Sequence, residues 1–141
     1  AFARIAAPGD ARNKAAIRSD WLIMPGRVAH ELVHSYYSLL DICPFPRKPW
    51  PVCEMVSPMK PLEALAMEKL VIVSSVRALV EMIDDDRTGM VFAKGDISSL
   101  ADTLERAMAS PELRARLGKA GGRCPARPPP VAARSRRCSV E

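Results

Sequence analysis

No apolar segment of this sequence is long enough to cross a membrane, because a spanning helix needs roughly eighteen to twenty predominantly apolar residues. The first residues, AFARIAAPGDARNK, contain neither the apolar core nor the small-residue cleavage site of a signal peptide. We therefore expect a cytoplasmic protein without a transmembrane segment. Peripheral attachment at the inner membrane face is the alternative location.

Cysteine is scarce and is not spaced for metal binding. The four cysteines, at positions 43, 53, 124 and 138, form no C-x-x-C pair. Their spacing is typical of neither a disulfide framework nor a zinc site. We expect reduced thiols.

Net positive charge is small outside the C-terminal end. The formal net charge is +5, but residues 122–141 contain five arginines and one glutamate, so the rest of the chain has a net charge of only +1. Binding of nucleic acid needs positive charge concentrated on a folded face. The composition therefore does not indicate a nucleic-acid partner.

Apolar residues alternate between strand-like and helix-like spacing along the chain. Strands are predicted at Phe2–Ala7, Trp21–Met24, Asp41–Phe45, Leu70–Val73 and Met90–Phe92. Helices are predicted at Val28–Leu40, after Pro61, at Ala78–Ile83, from Asp96 to Met108 and from Ser110 onward, with Asp96 and Ser110 as N-caps. The helix after Pro61 is expected to bury Leu62, Leu65 and Ala66, and the helix after Asp96 is expected to bury Leu100, Leu104 and Met108. An extended loop is predicted after the strand at Asp41–Phe45, because prolines stand at positions 44, 46, 49 and 51. Strands that alternate with helices predict an α/β fold with a Rossmann-like parallel sheet and helices on both faces.

The composition changes near Gly121. The segment that follows, GRCPARPPPVAARSRRCSVE, has three consecutive prolines, many arginines and no apolar period. We therefore predict one Rossmann-like domain over residues 1–120 and a disordered tail over residues 121–141. A shifted reading frame is our hypothesis for the origin of this tail.

The residues best suited to ligand binding lie between Pro51 and Val76. Glu54 and Glu63 flank a loop rich in serine, lysine and proline, which opens into a short helix. Free N–H groups at a helix start attract anions, and carboxylates accept hydrogen bonds from hydroxyl groups. The combination predicts a pocket for a nucleotide sugar. Taken alone, either glutamate could instead be a surface acid favoured near a helix start.

Short motifs between residues 26 and 117 follow an order that is found in one enzyme family. They are Gly26-Arg27-Val28, Tyr36–Asp41, Glu54, Pro61–Ala66, Val71–Ser74, Thr88–Phe92, Leu100-Ala101 and Ser110–Arg114. Through them the chain resembles the nucleotide-binding half of the family-4 retaining glycosyltransferases, which have two Rossmann-like domains in the GT-B arrangement. The resemblance implies that residues 1–120 are the C-terminal, nucleotide-sugar-binding domain of a hexosyltransferase. It also implies that this domain is incomplete at its N-terminal side and that the N-terminal acceptor domain is missing. It also implies that the isolated chain is inactive.

The resemblance implies a role for each residue that matches a family motif. Glu54 takes the catalytic position and contacts the donor sugar, whereas Glu63 binds the ribose hydroxyls. The other donor-binding residues implied are Gly26, Arg27 and Val28 near the nucleobase, and the amides of Met55, Val56, Ser57 and Met59. Pro58 is excluded because it has no N–H. The candidate cations for the diphosphate are Arg47 and Lys48, or Lys60, and a solvated charge on an exposed loop is the alternative for each of them. The implied partners are a nucleoside diphosphate sugar and an unknown hydroxyl acceptor, with no metal and no other cofactor.

Glu68 stands where the family has the glycine that ends the helix. The backbone of such a residue is left-handed, a conformation that is costly for any side chain. We therefore expect a positive φ angle at Glu68.

The segment from His30 to His34 suggests a different chemistry. Its sequence is a literal H-E-x-x-H, which on a helix places two imidazoles on one face to bind zinc, with the glutamate as base. The chain has two histidines in all, so the third ligand would be Glu54 or Asp41. A zinc metalloprotease is therefore one alternative, and a non-catalytic nucleotide-binding fragment is another. The run Asp84–Asp86 also suggests a metal site, but a solvated turn is our interpretation.

Overall fold

A computed structural model of the chain describes residues 26–123. The chain divides into two compact units, Ala1–Leu40 and Asp41–Glu141. In the first unit a 3₁₀ turn at His30–Leu32 leads into helix α1 (Val33–Ser38). The helix predicted over Val28–Leu40 is thus present but shorter. The strands predicted at Phe2–Ala7 and Trp21–Met24 lie outside the described residues.

The second unit alternates strands and helices, as the sequence predicts. Its elements are β1 (Ile42–Phe45), α2 (Pro51–Met55), α3 (Lys60–Ala66), β2 (Leu70–Ser74), α4 (Arg77–Val80), β3 (Met90–Phe92), α5 (Ile97–Ala109) and α6 (Pro111–Arg123). The three strands form one parallel sheet in the order β1-β2-β3. The fold class predicted from the sequence, a Rossmann-like α/β arrangement, is confirmed. Among residues 26–123, no helix is both long enough and apolar enough to span a bilayer.

Strand β2 is the centre of the sheet, and all five of its residues are buried. Its β-branched run suits a strand that is covered on both faces. Phe45 at the end of β1 pairs with Val73, and Phe92 at the end of β3 pairs with Ser74. The carboxyl ends of all three strands therefore lie side by side at one edge of the sheet.

The main hydrophobic cluster lies between the sheet and the two long helices. It consists of Leu70, Ile72, Met90, Phe92, Ala107 and Leu117, with Ile42, Leu100, Leu104 and Leu113 packed against it. Leu100 and Leu104 point inward as predicted. The inward position predicted for Met108 is wrong, because Met108 is 36% exposed whereas Ala107 is fully buried. Residues 100, 104 and 107 share one helical face, and residue 108, one turn after Leu104, lies at the border of that face, where it is partly in contact with solvent.

Two further predictions about helices are corrected in the crossover from β1 to β2. Pro51 was expected in an extended loop, but it begins α2, because proline is well suited to the first turn of a helix. In α3 the buried residues are Pro61, Ala64 and Leu65, whereas Ala66, predicted to be inside, is exposed. The apolar face of α3 is therefore rotated by about one position relative to the sequence pattern.

Farther along the chain, α4 ends at Val80, whereas the sequence pattern had placed this helix over Ala78–Ile83. Ile83 is nevertheless buried in the connection to β3. The apolar residues predicted to form one helix are therefore shared between a short helix and a packed loop.

Both N-caps predicted for the long helices are present. The Asp96 carboxylate accepts a hydrogen bond from the Ser99 N–H at 3.0 Å, and the Ser110 hydroxyl accepts one from the Leu113 N–H at 3.2 Å. Each cap satisfies one of the N–H groups that a helix start leaves without an intrahelical partner. The starts of α5 and α6 are therefore fixed locally by the sequence.

Glycines in α6 allow this helix to lie directly on the turn that follows α3. A Cβ atom added at Gly118 would stand 2.2 Å from the carbonyl oxygen of Glu68, and one added at Gly121 would stand 2.7 Å from that of Thr88. The helix continues to Arg123, so residues 121–123, which we had assigned to the tail, are helical. These glycines are packing positions, which is why the change in composition near Gly121 does not coincide with the end of the helix.

The expected left-handed residue is present at the end of α3, where Glu68 has a φ angle of +53°. A left-handed backbone brings Cβ close to the following carbonyl oxygen and costs a side chain roughly 1–2 kcal/mol. Glycine has no Cβ and avoids this contact.

We predict that Glu68→Gly raises the free energy of unfolding by up to about 1 kcal/mol, because the relief of backbone strain exceeds the entropy that glycine loses on folding. Urea denaturation of the chain measures the difference. Glu105→Gly is the matched control: Glu105 is exposed within α5, so this change should cost about 1 kcal/mol. Equal losses in the two variants would contradict the prediction.

Candidate functional site

Polar residues follow the carboxyl ends of the strands and are tied together by hydrogen bonds. The backbone N–H of Arg47, after β1, donates to the Ser74 hydroxyl at 3.0 Å. The backbone N–H of Lys94, after β3, donates to the Ser75 hydroxyl at 3.0 Å. The end of the central strand therefore holds the loops from both neighbouring strands. Ligands of open α/β sheets bind outside this carboxyl edge.

The Glu54 carboxylate connects three elements at the same edge. It extends from α2, and its Oε2 accepts a hydrogen bond from the backbone N–H of Arg77 at 2.7 Å. Its Oε1 accepts one from the Nζ of Lys94 at 2.5 Å. Arg77 is the first residue of α4, where backbone N–H groups have no partner within the helix and an anion is favoured. Glu54 thus holds α2, α4 and the loop after β3 together.

These two contacts also determine the ionisation of Glu54. The hydrogen bond from the Arg77 N–H lowers the pKa of the carboxyl group below its ordinary value of 4.5, and the hydrogen bond and positive charge of Lys94 lower it further. About one quarter of the side chain remains exposed. The group is therefore an anion at neutral pH, and each of its oxygens keeps a lone pair that can accept a hydrogen bond from a ligand hydroxyl.

In the loop between α2 and α3, some backbone groups are hydrogen-bonded within the protein and others are not. The Val56 N–H donates to the Val52 carbonyl at 3.1 Å, and the Val56 carbonyl accepts from the Arg47 guanidinium at 2.7 Å. The expectation that the Val56 amide faces a ligand is therefore corrected, because it closes the last turn of α2. Within residues 26–123, the N–H groups of Ser57 and Met59 donate to no protein acceptor. These two amides can bind an anion.

Glu63 lies in the first turn of α3 and is exposed to solvent. Helix α3 crosses from the carboxyl end of β1 to the amino end of β2, so its first turn lies at the edge where the strands end. Lys60 is its first residue and is also exposed. Chain order therefore puts Lys60 and Glu63 toward the edge at which Glu54 is held, and their contact with a donor remains a prediction.

The other predicted site residues lie in different parts of the chain. Gly26, Arg27 and Val28 belong to the first unit, and their contact with a nucleobase remains a prediction. Met55 is the last residue of α2 and its side chain is exposed. The Nζ of Lys48 lies 5.1 Å from the centre of the Trp50 ring, a cation–π arrangement.

The residues considered for a metal site from the sequence are not gathered into a cluster within residues 26–123. His30 lies in the 3₁₀ turn and His34 lies in α1, so a regular helix does not connect them. No cluster of three or more His, Cys, Asp or Glu side chains able to hold a metal ion occurs in the described part of the chain. At Asp84–Asp86 the carboxylates are exposed and bind within the protein: to Arg87, to the Val91 N–H and to Arg106. This run is the solvated turn that we had inferred.

Lys94, Ser74 at the end of β2 and Ser75 directly after it were missed as site residues. Polar residues that directly follow buried strands are the signal that could have found them, because such positions meet at the carboxyl edge of a parallel sheet. Ser74 is fully buried, and Ser75 and Lys94 lie one or two residues beyond their strands. The hydrogen bonds themselves depend on strand register, which residue spacing does not define.

Comparison with known proteins identifies relatives of this chain. Residues 12–123 match the family described as Glycosyl transferases group 1. The chain is 26% identical over 107 residues to an alpha-D-kanosaminyltransferase of Streptomyces kanamyceticus, an alignment that covers 76% of the chain and 26% of that enzyme.

Two solved structures are similar in fold. Sucrose-phosphate synthase of Thermosynechococcus elongatus is 29% identical, with a TM-score of 0.65 over 73% of the chain and 25% of that protein. The C-terminal domain of a glycosyl transferase group 1 family protein of Francisella tularensis is 25% identical, with a TM-score of 0.60 over 72% of the chain and 50% of that structure. The chain spans about a quarter of the length of the kanosaminyltransferase and of the synthase.

We predict that Glu54→Gln weakens the dependence of stability on pH in acid. Because the pKa of Glu54 is lower in the folded chain than its ordinary value of 4.5, its contribution to stability is complete above that pH. The contribution is lost as the pH falls through the lower, folded-state pKa. Thermal melts between pH 6 and about pH 3 should therefore show a smaller drop in melting temperature for Glu54→Gln than for the unmodified chain. Glu105→Gln, an exposed change on α5, should follow the unmodified chain; identical curves for all three proteins would refute the assignment.

Proposed function

The chain belongs to the Glycosyl transferases group 1 family, and from this membership we propose that it is the nucleotide-sugar-binding part of a retaining glycosyltransferase. The proposed reaction transfers a hexose from a nucleoside diphosphate sugar to a hydroxyl acceptor, and the anomeric configuration is kept. Donor binding is the step that we assign to the described residues.

One observation carries this proposal: the Glu54 carboxylate is held at the carboxyl edge of the parallel sheet by Arg77 and Lys94, and the available amides of Ser57 and Met59 follow it along the chain. Helix α3, which carries Glu63 in its first turn, begins directly after these amides. The carboxyl edge is the edge at which open α/β sheets bind nucleotides. Carboxylates recognise hydroxyl groups, and unpaired amides recognise phosphate oxygens, which are the two kinds of group that a nucleotide sugar presents.

Each group has a proposed role in donor binding. Glu54 accepts hydrogen bonds from sugar hydroxyls, and Glu63 accepts them from the ribose. The N–H groups of Ser57 and Met59 face the diphosphate, and Lys60, at the start of the same helix, adds positive charge. Arg47 contributes by bracing the loop, since its guanidinium donates to the Val56 carbonyl.

These groups support transfer by positioning and by electrostatic stabilisation. When the sugar leaves, negative charge develops on the departing diphosphate. Amides and cations already directed at that charge stabilise it without reorganising, which is usually the largest catalytic contribution of this kind. Holding the sugar through its hydroxyls in one orientation lowers the entropic part of the barrier.

The isolated chain is proposed to bind donor but to transfer sugar at a negligible rate. It spans about a quarter of the length of two of its relatives, and no residue described here is assigned to the acceptor. No general base is assigned either. Weak binding of a nucleotide sugar without turnover is therefore the expected behaviour of the 141 residues.

We predict that the chain binds at least one UDP-, GDP- or ADP-sugar and that Glu63→Gln weakens this binding about tenfold, because a hydrogen bond to a charged group contributes roughly 1.5–3 kcal/mol. Saturation-transfer NMR over a panel of donors, followed by calorimetry with the best one, measures the effect. The base and sugar of the preferred donor follow from the same panel.

Glu105→Gln is the control for Glu63→Gln, because Glu105 is an exposed glutamate on another helix. It should leave donor affinity unchanged. If no donor in the panel binds the folded chain, the proposed donor site at the carboxyl edge of the sheet is wrong. If both variants bind donor equally well, the role assigned to Glu63 is wrong.

A further inference from the structure

Lys94 is attached to the carboxyl edge of the sheet at both ends. Its backbone N–H donates to the Ser75 hydroxyl at 3.0 Å, and its ammonium group donates to Glu54 at 2.5 Å. Its side chain is 40% exposed, so the ammonium group borders both the protein and the solvent above the sheet. Two attachments restrict the conformations of a long, flexible side chain.

The Glu54 carboxylate has one orientation while both of its contacts are present. One oxygen accepts from the Arg77 N–H and the other from the Lys94 ammonium. The terminal torsion of a glutamate is broad, so a carboxylate held at a single oxygen can turn about that contact. Lys94 therefore determines which lone pairs of Glu54 point away from the protein.

Charge gives Lys94 a second effect. An ionised Glu54 close to a diphosphate would repel it, because like charges separated by a few ångströms interact unfavourably. The ammonium group of Lys94 neutralises the carboxylate and leaves its lone pairs usable. The guanidinium of Arg77 pairs instead with Glu81 at 3.1 Å on the same helix. Within residues 26–123, Lys94 is the basic side chain that forms an ion pair with Glu54.

We propose that Lys94 is a positioning residue for the donor site: it holds the Glu54 carboxylate in the orientation that accepts sugar hydroxyls and offsets its negative charge near the diphosphate. The proposal rests on the donor-binding function argued above. Donor affinity then depends on a residue that contacts the donor only through Glu54.

The test compares Lys94→Met, which keeps most of the length of the side chain without its charge, with Lys94→Arg, which keeps the charge. Lys119→Met is the matched control, because it removes one positive charge from an exposed position on α6. Two quantities are measured on the 141-residue chain: the titration of the Glu54 carboxyl carbon by NMR, and the affinity for the best-binding UDP-, GDP- or ADP-sugar. If Lys94→Met fails to fold, Lys94→Gln replaces it in the same comparison.

In Lys94→Met the titration midpoint of Glu54 should move up toward 4.5, and donor affinity should fall about tenfold. Lys94→Arg should keep most of the lowered Glu54 titration midpoint and most of the donor affinity. Lys119→Met should change neither quantity. An unchanged Glu54 titration in Lys94→Met overturns the proposal, whatever the donor result. A shifted titration with unchanged donor affinity also overturns it. If the unmodified chain binds no donor, the donor-binding function fails, and with it the role of Lys94 there, while the titration still reports the ion pair itself.

Discussion

Pairing of β2 with both of its neighbours is the interaction on which the rest of this structure depends. Because the central strand is buried on both faces and pairs in parallel with β1 and β3, the three strands end at one edge. The loops leaving that edge are then held by the hydroxyls of Ser74 and Ser75. The position of every candidate site group in this unit follows from that alignment, including Glu54, which is reached through the loop after β1.

Much of this unit could be predicted from the sequence, because its strands and long helices have strong local signals. The β-branched run of β2 and the caps at Asp96 and Ser110 are examples, since each depends on neighbouring residues alone. What could not be predicted depends on packing. The rotation of α3 and the partial exposure of Met108 are decided by how each helix lies on the sheet, and an apolar residue next to the true inner face looks the same in the sequence.

The candidate site, like the fold, could be predicted where the signal lies in neighbouring residues and could not be predicted where it depends on distant contacts. Carboxylates at Glu54 and Glu63 were recognisable from their place around a loop and a helix start. The contact between Glu54 and Lys94 joins residues 40 positions apart, and no local pattern indicates it. The Val56 amide was expected to be available because α2 was interpreted as a loop; once Pro51 begins a helix, that N–H has an acceptor. Long-range contacts and short proline-initiated helices are therefore where the residue pattern is insufficient.

The close contact between α6 and the turn after α3 has a consequence for how this sequence can change. Since the carbonyl oxygen of Glu68 occupies the space that a Cβ of residue 118 would need, the backbone at one position limits the side chains allowed at the other. Substitutions at the two positions should therefore be non-additive, so that a larger residue at 118 becomes tolerable only after the turn at 68 has moved. Sequence drift in this unit would then proceed through coupled replacements, with residues 68 and 118 evolving as a pair.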